Sequence, residues 1–157
     1  MPWPKFQKFI DILVDQEVRQ DVYSKLRRIY RRGTPLCAAT CSEFLTRAGI
    51  LAYRRDNTKQ VNDALVARGW RRKGELRWLE AGAVCFSKDL TGKRMPDHVY
   101  VFLGWLDRAK SLALIQDNFS PDPHLRNMGK GVWYRGRRYS ATPFDYALYP
   151  PPEKPDA

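Results

Sequence analysis

Histidine and cysteine are scarce in this chain of 157 residues, with two histidines and three cysteines. The cysteines, Cys37, Cys41 and Cys85, are odd in number, which argues against a closed disulfide framework. No HExxH, HxxxH or CxxC spacing occurs, so the usual metal signatures are missing. Apolar runs fall well short of the ~20 residues that span a bilayer, and no membrane span is expected. The first sixteen residues, MPWPKFQKFIDILVDQ, lack the basic end, unbroken apolar run and small-residue cleavage site of a signal peptide. The expectation is synthesis in a reducing cytoplasm with free thiols. Acidic residues are also few. Lys and Arg number 28 against 17 Asp and Glu, a formal charge of +11 that favours polyanionic partners without choosing among them.

What is present suits one globular domain. At 43% hydrophobic and 29% charged, the chain can build a core and is not a disordered or collagenous sequence. Phe6, Phe9, Ile10, Leu13 and Val14, then Val22, Leu26, Ile29 and Tyr30, follow helical spacing and predict one or two amphipathic helices over 4–32. Thr34-Pro35 reads as an N-cap and first helical residue, opening a helix to about Ala48. A further helix is expected near 58–68, starting at Asn57 or Thr58. Beyond Trp70 the period shortens. Segments 82–87, 98–105, 111–118, 131–139 and 144–149 read as strands of a mostly antiparallel sheet. Helices first and strands afterwards make the fold class α+β. The chain divides into an N-terminal helical segment, 1–33, a domain over 34–150 and a disordered tail, 151–157.

With Thr34 as N-cap, Cys37 falls at the third helical position, where free amides and the helix dipole favour thiolate. Cys41 aligns with Phe44, Leu45 and Ala48 and reads as core, as does Cys85 within AVCF. His98 begins the apolar strand HVYVFLG, placing a general base next to the helix. Such a base needs a neighbour that fixes its ring. In IQDNFS, Asn118 and Gln116 share one strand face and fit that role, whereas Asp117 fits by charge but not by face unless a bulge intervenes. His124, in the proline-bounded segment PDPHLRN, reads as a loop residue outside the chemistry.

The order of these segments resembles that of the NlpC-type and CHAP cysteine peptidases. PLCAATCSEFLTRAGI is similar to their nucleophile helix, LEAGAVCF to their L-x-x-G-D strand, HVYVFLG to their histidine strand and IQDNFS to their E-Q-N-Y segment. Ala83 stands where the family has Asp, Asp97 where it has Gly, and Gln116 where it has Glu. The resemblance covers about 34–149. It implies a papain-like core, N-terminal helices packed on a mostly antiparallel sheet, and a site of Cys37, His98, Asn118 and Gln116 with no cofactor. It further implies an amidase or endopeptidase acting on peptidoglycan or another anionic cell-wall polymer, after release or non-classical delivery, with a cognate immunity protein if the chain is an effector. Two other readings stand beside it. One is a nucleic-acid-binding module built on RRIYRR, WRRK and YRGRRY, although the chain carries no nucleic-acid signature and such binding is not expected. The other is a non-catalytic structural component of a phage or secretion particle.

Overall fold

The computed structural model describes residues 4–129, 132–134, 137–139 and 143–151. The tail expected beyond residue 151 and part of the segment 131–139 lie outside them. Among the described residues the fold is α+β, with four α-helices and a six-stranded antiparallel sheet.

The amphipathic stretch at the N-terminus forms two helices, α1 (Pro4–Val14) and α2 (Gln16–Ile29). Asp15 divides them, because its carboxylate accepts hydrogen bonds from Glu17 N and Val18 N and caps the second helix. Helix α3 spans Cys37–Arg47 and helix α4 spans Thr58–Ala67. Asn57 and Gln60 form a capping box at the start of α4.

Thr34 does not cap α3 as expected. Its amide donates to Arg31 O in the preceding turn, the cap position falls to Leu36, and no side chain caps the helix. Cys37 is therefore the first helical residue rather than the third.

The strands are β1 (Arg71–Lys73), β2 (Val84–Ser87), β3 (Val99–Asp107), β4 (Leu112–Gln116), β5 (His124–Asn127), β6 (Val132–Tyr134), β7 (Arg137–Tyr139) and β8 (Phe144–Tyr149). The main sheet runs β1-β8-β2-β3-β4-β5, and β6 and β7 pair as a separate ribbon. The expected strand over 131–139 is thus two short strands. His124 opens β5 instead of lying in a loop, paired with Ile115 of β4. Strand β1 was not legible either: its residues, RRK, are all exposed and show no apolar alternation.

Alternation sorts the strands onto two faces. Val84, Phe86, Val99, Val101 and Leu148 join Phe44 and Leu45 of α3 in one core; Cys85, Tyr100, Phe102, Ile115 and Ala147 build the other. Phe9 and Leu13 of α1 and Val22 and Leu26 of α2 are fully buried in the first core. The two N-terminal helices therefore pack as part of the same unit. Each such Leu or Phe stabilises the fold by about 1.5–3 kcal/mol. That burial, more than any cap, holds the Cys37 end of α3 against β3.

Gly82 fixes the approach of α1. Its φ is +93°, and a Cβ there would stand 2.5 Å from the Phe6 ring. Only glycine allows both the left-handed backbone and the close contact.

Candidate functional site

Three elements meet at one end of the sheet. Helix α3 begins with Cys37, β3 is preceded by His98, and β4 ends one residue before Asp117. All three residues are buried, and the side chain of Asp117 has no exposed surface.

The Cys37 thiol and the His98 ring are near enough that each is the other's electrostatic partner. His98 Nε2 lies 2.9 Å from Asp117 Oδ2. With Nε2 engaged by the carboxylate, Nδ1 is the nitrogen left to face the sulfur. The other carboxylate oxygen, Oδ1, accepts from Phe119 N at 2.9 Å and lies 3.3 Å from Nε2 of His124. The His98 ring has two aromatic neighbours, Tyr100 and Phe119, whose ring centroids stand 5.6 and 5.5 Å from its own.

Asn118 and Gln116, favoured by strand parity as the orienting residues, do not touch the histidine ring in any hydrogen bond among the described residues. Asp117 does. The reason is register. Strand β4 pairs Gln116 with Val101 and Ile115 with Phe102, so the next residue, Asp117, falls on the face of Tyr100 and His98, and Gln116 and Asn118 fall on the other. Asp117 accepts from the amide of Phe119 with one carboxylate oxygen and meets the His98 ring with the other. Gln116 supports this turn from below, donating from Nε2 to Asp117 O (3.2 Å) and Ser120 O (3.0 Å). Asn118 contributes its backbone: Arg27 of α2 donates to Asn118 O at 2.8 Å. Arg19, also on α2, donates to Pro121 O at 3.1 Å and to Leu13 O at 3.0 Å. The loop carrying Asp117 is thus braced by a helix outside the region of family resemblance.

Charge is distributed to match. Burial pushes the Cys37 thiol up, but the neighbouring His98 imidazole and the amides of Val99 and Ala38 outweigh it and lower its pKa. Burial pulls His98 down, yet Asp117 and Cys37 raise it above the ordinary histidine value. Burial also opposes ionisation of Asp117, and His124 and His98 together hold it well below the usual carboxylate range. The other two thiols go the opposite way: burial raises both Cys41 and Cys85. One sulfur of three is poised to ionise.

Beside Cys37 lies a cleft of about 370 Å³. Cys37 and Ala38 of α3, Asn57 and Thr58 at the start of α4, and Lys93 and Met95 from the β2–β3 loop line it. That loop is tied down. Thr58 Oγ1 donates to Pro96 O at 2.6 Å, and the Asp89 carboxylate accepts from the amides of Thr91, Lys93 and Arg94. The first amides of a helix have no intrahelical acceptor, so the α3 terminus presents N–H donors here. The arrangement can hold a thiolate–imidazolium pair next to donors suited to a developing oxyanion. Among the described residues, no group of three His, Cys, Asp or Glu is placed to hold a metal ion.

No family model, curated protein or solved structure matches the chain.

His124 is the residue that sequence reading set aside. Its motif offered little signal: a short polar strand following two prolines does not announce that it pairs with β4 beside the site.

Proposed function

We propose that this protein is a cysteine-dependent hydrolase that cleaves an amide bond of peptidoglycan through Cys37, His98 and Asp117. The observation that carries this reading is the buried series of Cys37, its electrostatic partner His98, and Asp117 bonded to the His98 ring, set beside a cleft. A papain-like core fits the same facts: the nucleophile heads a helix packed on an antiparallel sheet, and the base precedes a strand of that sheet.

In the proposed reaction, the Cys37 thiolate attacks the amide carbonyl carbon and forms a carbon–sulfur bond. Negative charge moves to the carbonyl oxygen, where amides at the start of α3 stabilise it, at about 3 kcal/mol for a typical single donor. The imidazolium of His98 gives its proton to the leaving amine as the carbon–nitrogen bond breaks. Water then attacks the thioester, His98 accepts the water's proton, and the acid leaves as the thiol is restored. Asp117 holds the ring and balances its positive charge throughout. No cofactor enters.

The substrate follows from the family resemblance and from charge. Wall polymers are anionic, and a chain of formal charge +11 is drawn to them. Action on the wall would follow release of the protein from the compartment where it is made. No helix among the described residues is long and apolar enough to cross a membrane.

The test is mass-spectrometric analysis of purified peptidoglycan after digestion, with the Cys37→Ser chain as control. New amine and carboxyl ends should form with the native chain alone. Equal product from the Cys37→Ser chain, or none from the native one, overturns the proposal.

A further inference from the structure

Asp117 is a carboxylate between two imidazoles. Its Oδ2 takes Nε2 of His98, and its Oδ1 lies 3.3 Å from Nε2 of His124. A buried carboxylate needs every lone pair it can have satisfied, and one backbone amide at Oδ1, from Phe119, leaves room for another donor. His124 stands at that opening from β5, its Nε2 3.3 Å from Oδ1 and its side chain 30% exposed to solvent.

We propose that His124 is a positioning residue of the site: by donating to Asp117 Oδ1 it shares the carboxylate with His98 and limits how much of its negative charge the His98 ring feels. The inference rests on reading Cys37, His98 and Asp117 as the reacting set. It concerns a residue that never reaches the substrate cleft.

The sign of the effect follows from electrostatics. A donor on Oδ1 withdraws charge from Oδ2, so the bond to His98 weakens. If His124 carries a proton on both nitrogens, its positive charge repels the His98 imidazolium as well. Either way, His124 restrains the basicity of His98. A purely structural role has the opposite sign. If His124 only held Asp117 in place, its loss would free the carboxylate to leave the ring, and the buried imidazole would become less basic.

Other groups face this cluster. Cys37 approaches His98 from α3, and Tyr100 of β3 stacks on its ring, with Arg126 of β5 lying 4.6 Å over Tyr100. The Asp122 backbone carbonyl lies 3.5 Å from His124 Nδ1, and the Asp122 carboxylate is paired with Arg19 of α2 at 3.7 Å. None of these groups is bonded to Asp117 Oδ1.

The chain has two histidines, so imidazole titration by NMR reads each without overlap. The measurement uses the full-length chain carrying Cys37→Ser, which removes the coupled titration of the thiol. Adding His124→Phe removes the donor and keeps an aromatic ring. The His98 midpoint should rise by at least about half a pH unit, roughly threefold in the proton-binding constant. His124→Gln keeps an amide donor and should return at least half of that shift. A second donor-free variant, His124→Ala, supplies the result if the phenylalanine chain does not fold. An unchanged midpoint, a fall, or no recovery with glutamine overturns the inference. Peptidoglycan digestion is scored separately. Digestion without the NMR shift defeats this inference alone, and the shift without digestion defeats the hydrolase reading alone.

Discussion

His98 and Asp117 meet through Nε2 and Oδ2 at 2.9 Å, because the pairing of Val101 with Gln116 sets the residue after β4 on the face of Tyr100 and His98. Beyond Gln116 the chain turns, and the Phe119 amide holds the second carboxylate oxygen.

This contact separates Asp117 from its neighbours in a direct comparison. Asp117→Ala should lower kcat/KM on peptidoglycan by about 100-fold or more, the usual weight of a positioned acid–base system. Asn118→Ala removes a side-chain oxygen with no hydrogen-bond partner among the described residues and should leave the rate within about threefold. Initial rates of amine release measure both. Equal losses for the two variants would return the orienting role to Asn118.

The three thiols should differ in reactivity. Cys37, with a lowered pKa, should be alkylated by iodoacetamide at pH 6 about 100-fold faster than Cys41 or Cys85, both buried and raised. Peptide mass mapping over a time course gives the three rates. Asp117→Asn should slow Cys37 selectively, because the imidazolium that stabilises its thiolate loses its own partner. Uniform rates across the three cysteines would remove the basis for a nucleophile at residue 37.

Glu43, on the side of α3 away from the cleft, gathers Lys25 at 2.8 Å, Arg54 at 3.3 Å and Arg47 at 3.4 Å. Burial opposes its charge, but these cations outweigh that and lower its pKa. A carboxylate more acidic in the folded than in the unfolded chain stabilises the fold above the ordinary glutamate range. That contribution is lost as pH falls through the lowered folded value. Glu43→Gln should therefore cost about 1–3 kcal/mol at pH 7. Its deficit against the native chain should shrink on acidification, as urea midpoints from pH 7 to pH 3 would record. A deficit that stays constant with pH would mean that Glu43 acts through packing and not charge.

Gly82→Ala should destabilise the fold by about 1–3 kcal/mol, since alanine resists φ near +93° and its methyl meets the Phe6 ring. Trimming Phe6 to Leu should relieve the ring contact but neither the 2.6 Å approach to Ile10 nor the backbone strain. Partial rescue in denaturant titration is the expected outcome, and full rescue would show that sterics alone require the glycine.

The amphipathic N-terminus, α3, α4 and strands β2, β3, β4 and β8 were legible because each carries its own period and its own stops. Strand alternation placed Val99 and Val101 opposite Tyr100 and Phe102, and the two cores follow it. Strands β1 and β5 were not legible: Arg71–Lys73 and His124–Asn127 are short, polar and defined by what they pair with. Thr34 looked like a cap on composition, yet its amide is used in the turn before the helix.

By itself, then, the amino-acid sequence determined the residue types available for chemistry: one cysteine near a helix start, one histidine before an apolar strand, and an acid between two amides. Those are local facts, set by neighbours within a few positions. Which of Gln116, Asp117 and Asn118 faces His98, and that His124 stands behind the acid, was decided only in the tertiary structure. Both depend on the register of β4 against β3 and on which strand lies on its other side, and that pairing is stabilised by burial across the whole sheet rather than by any short segment.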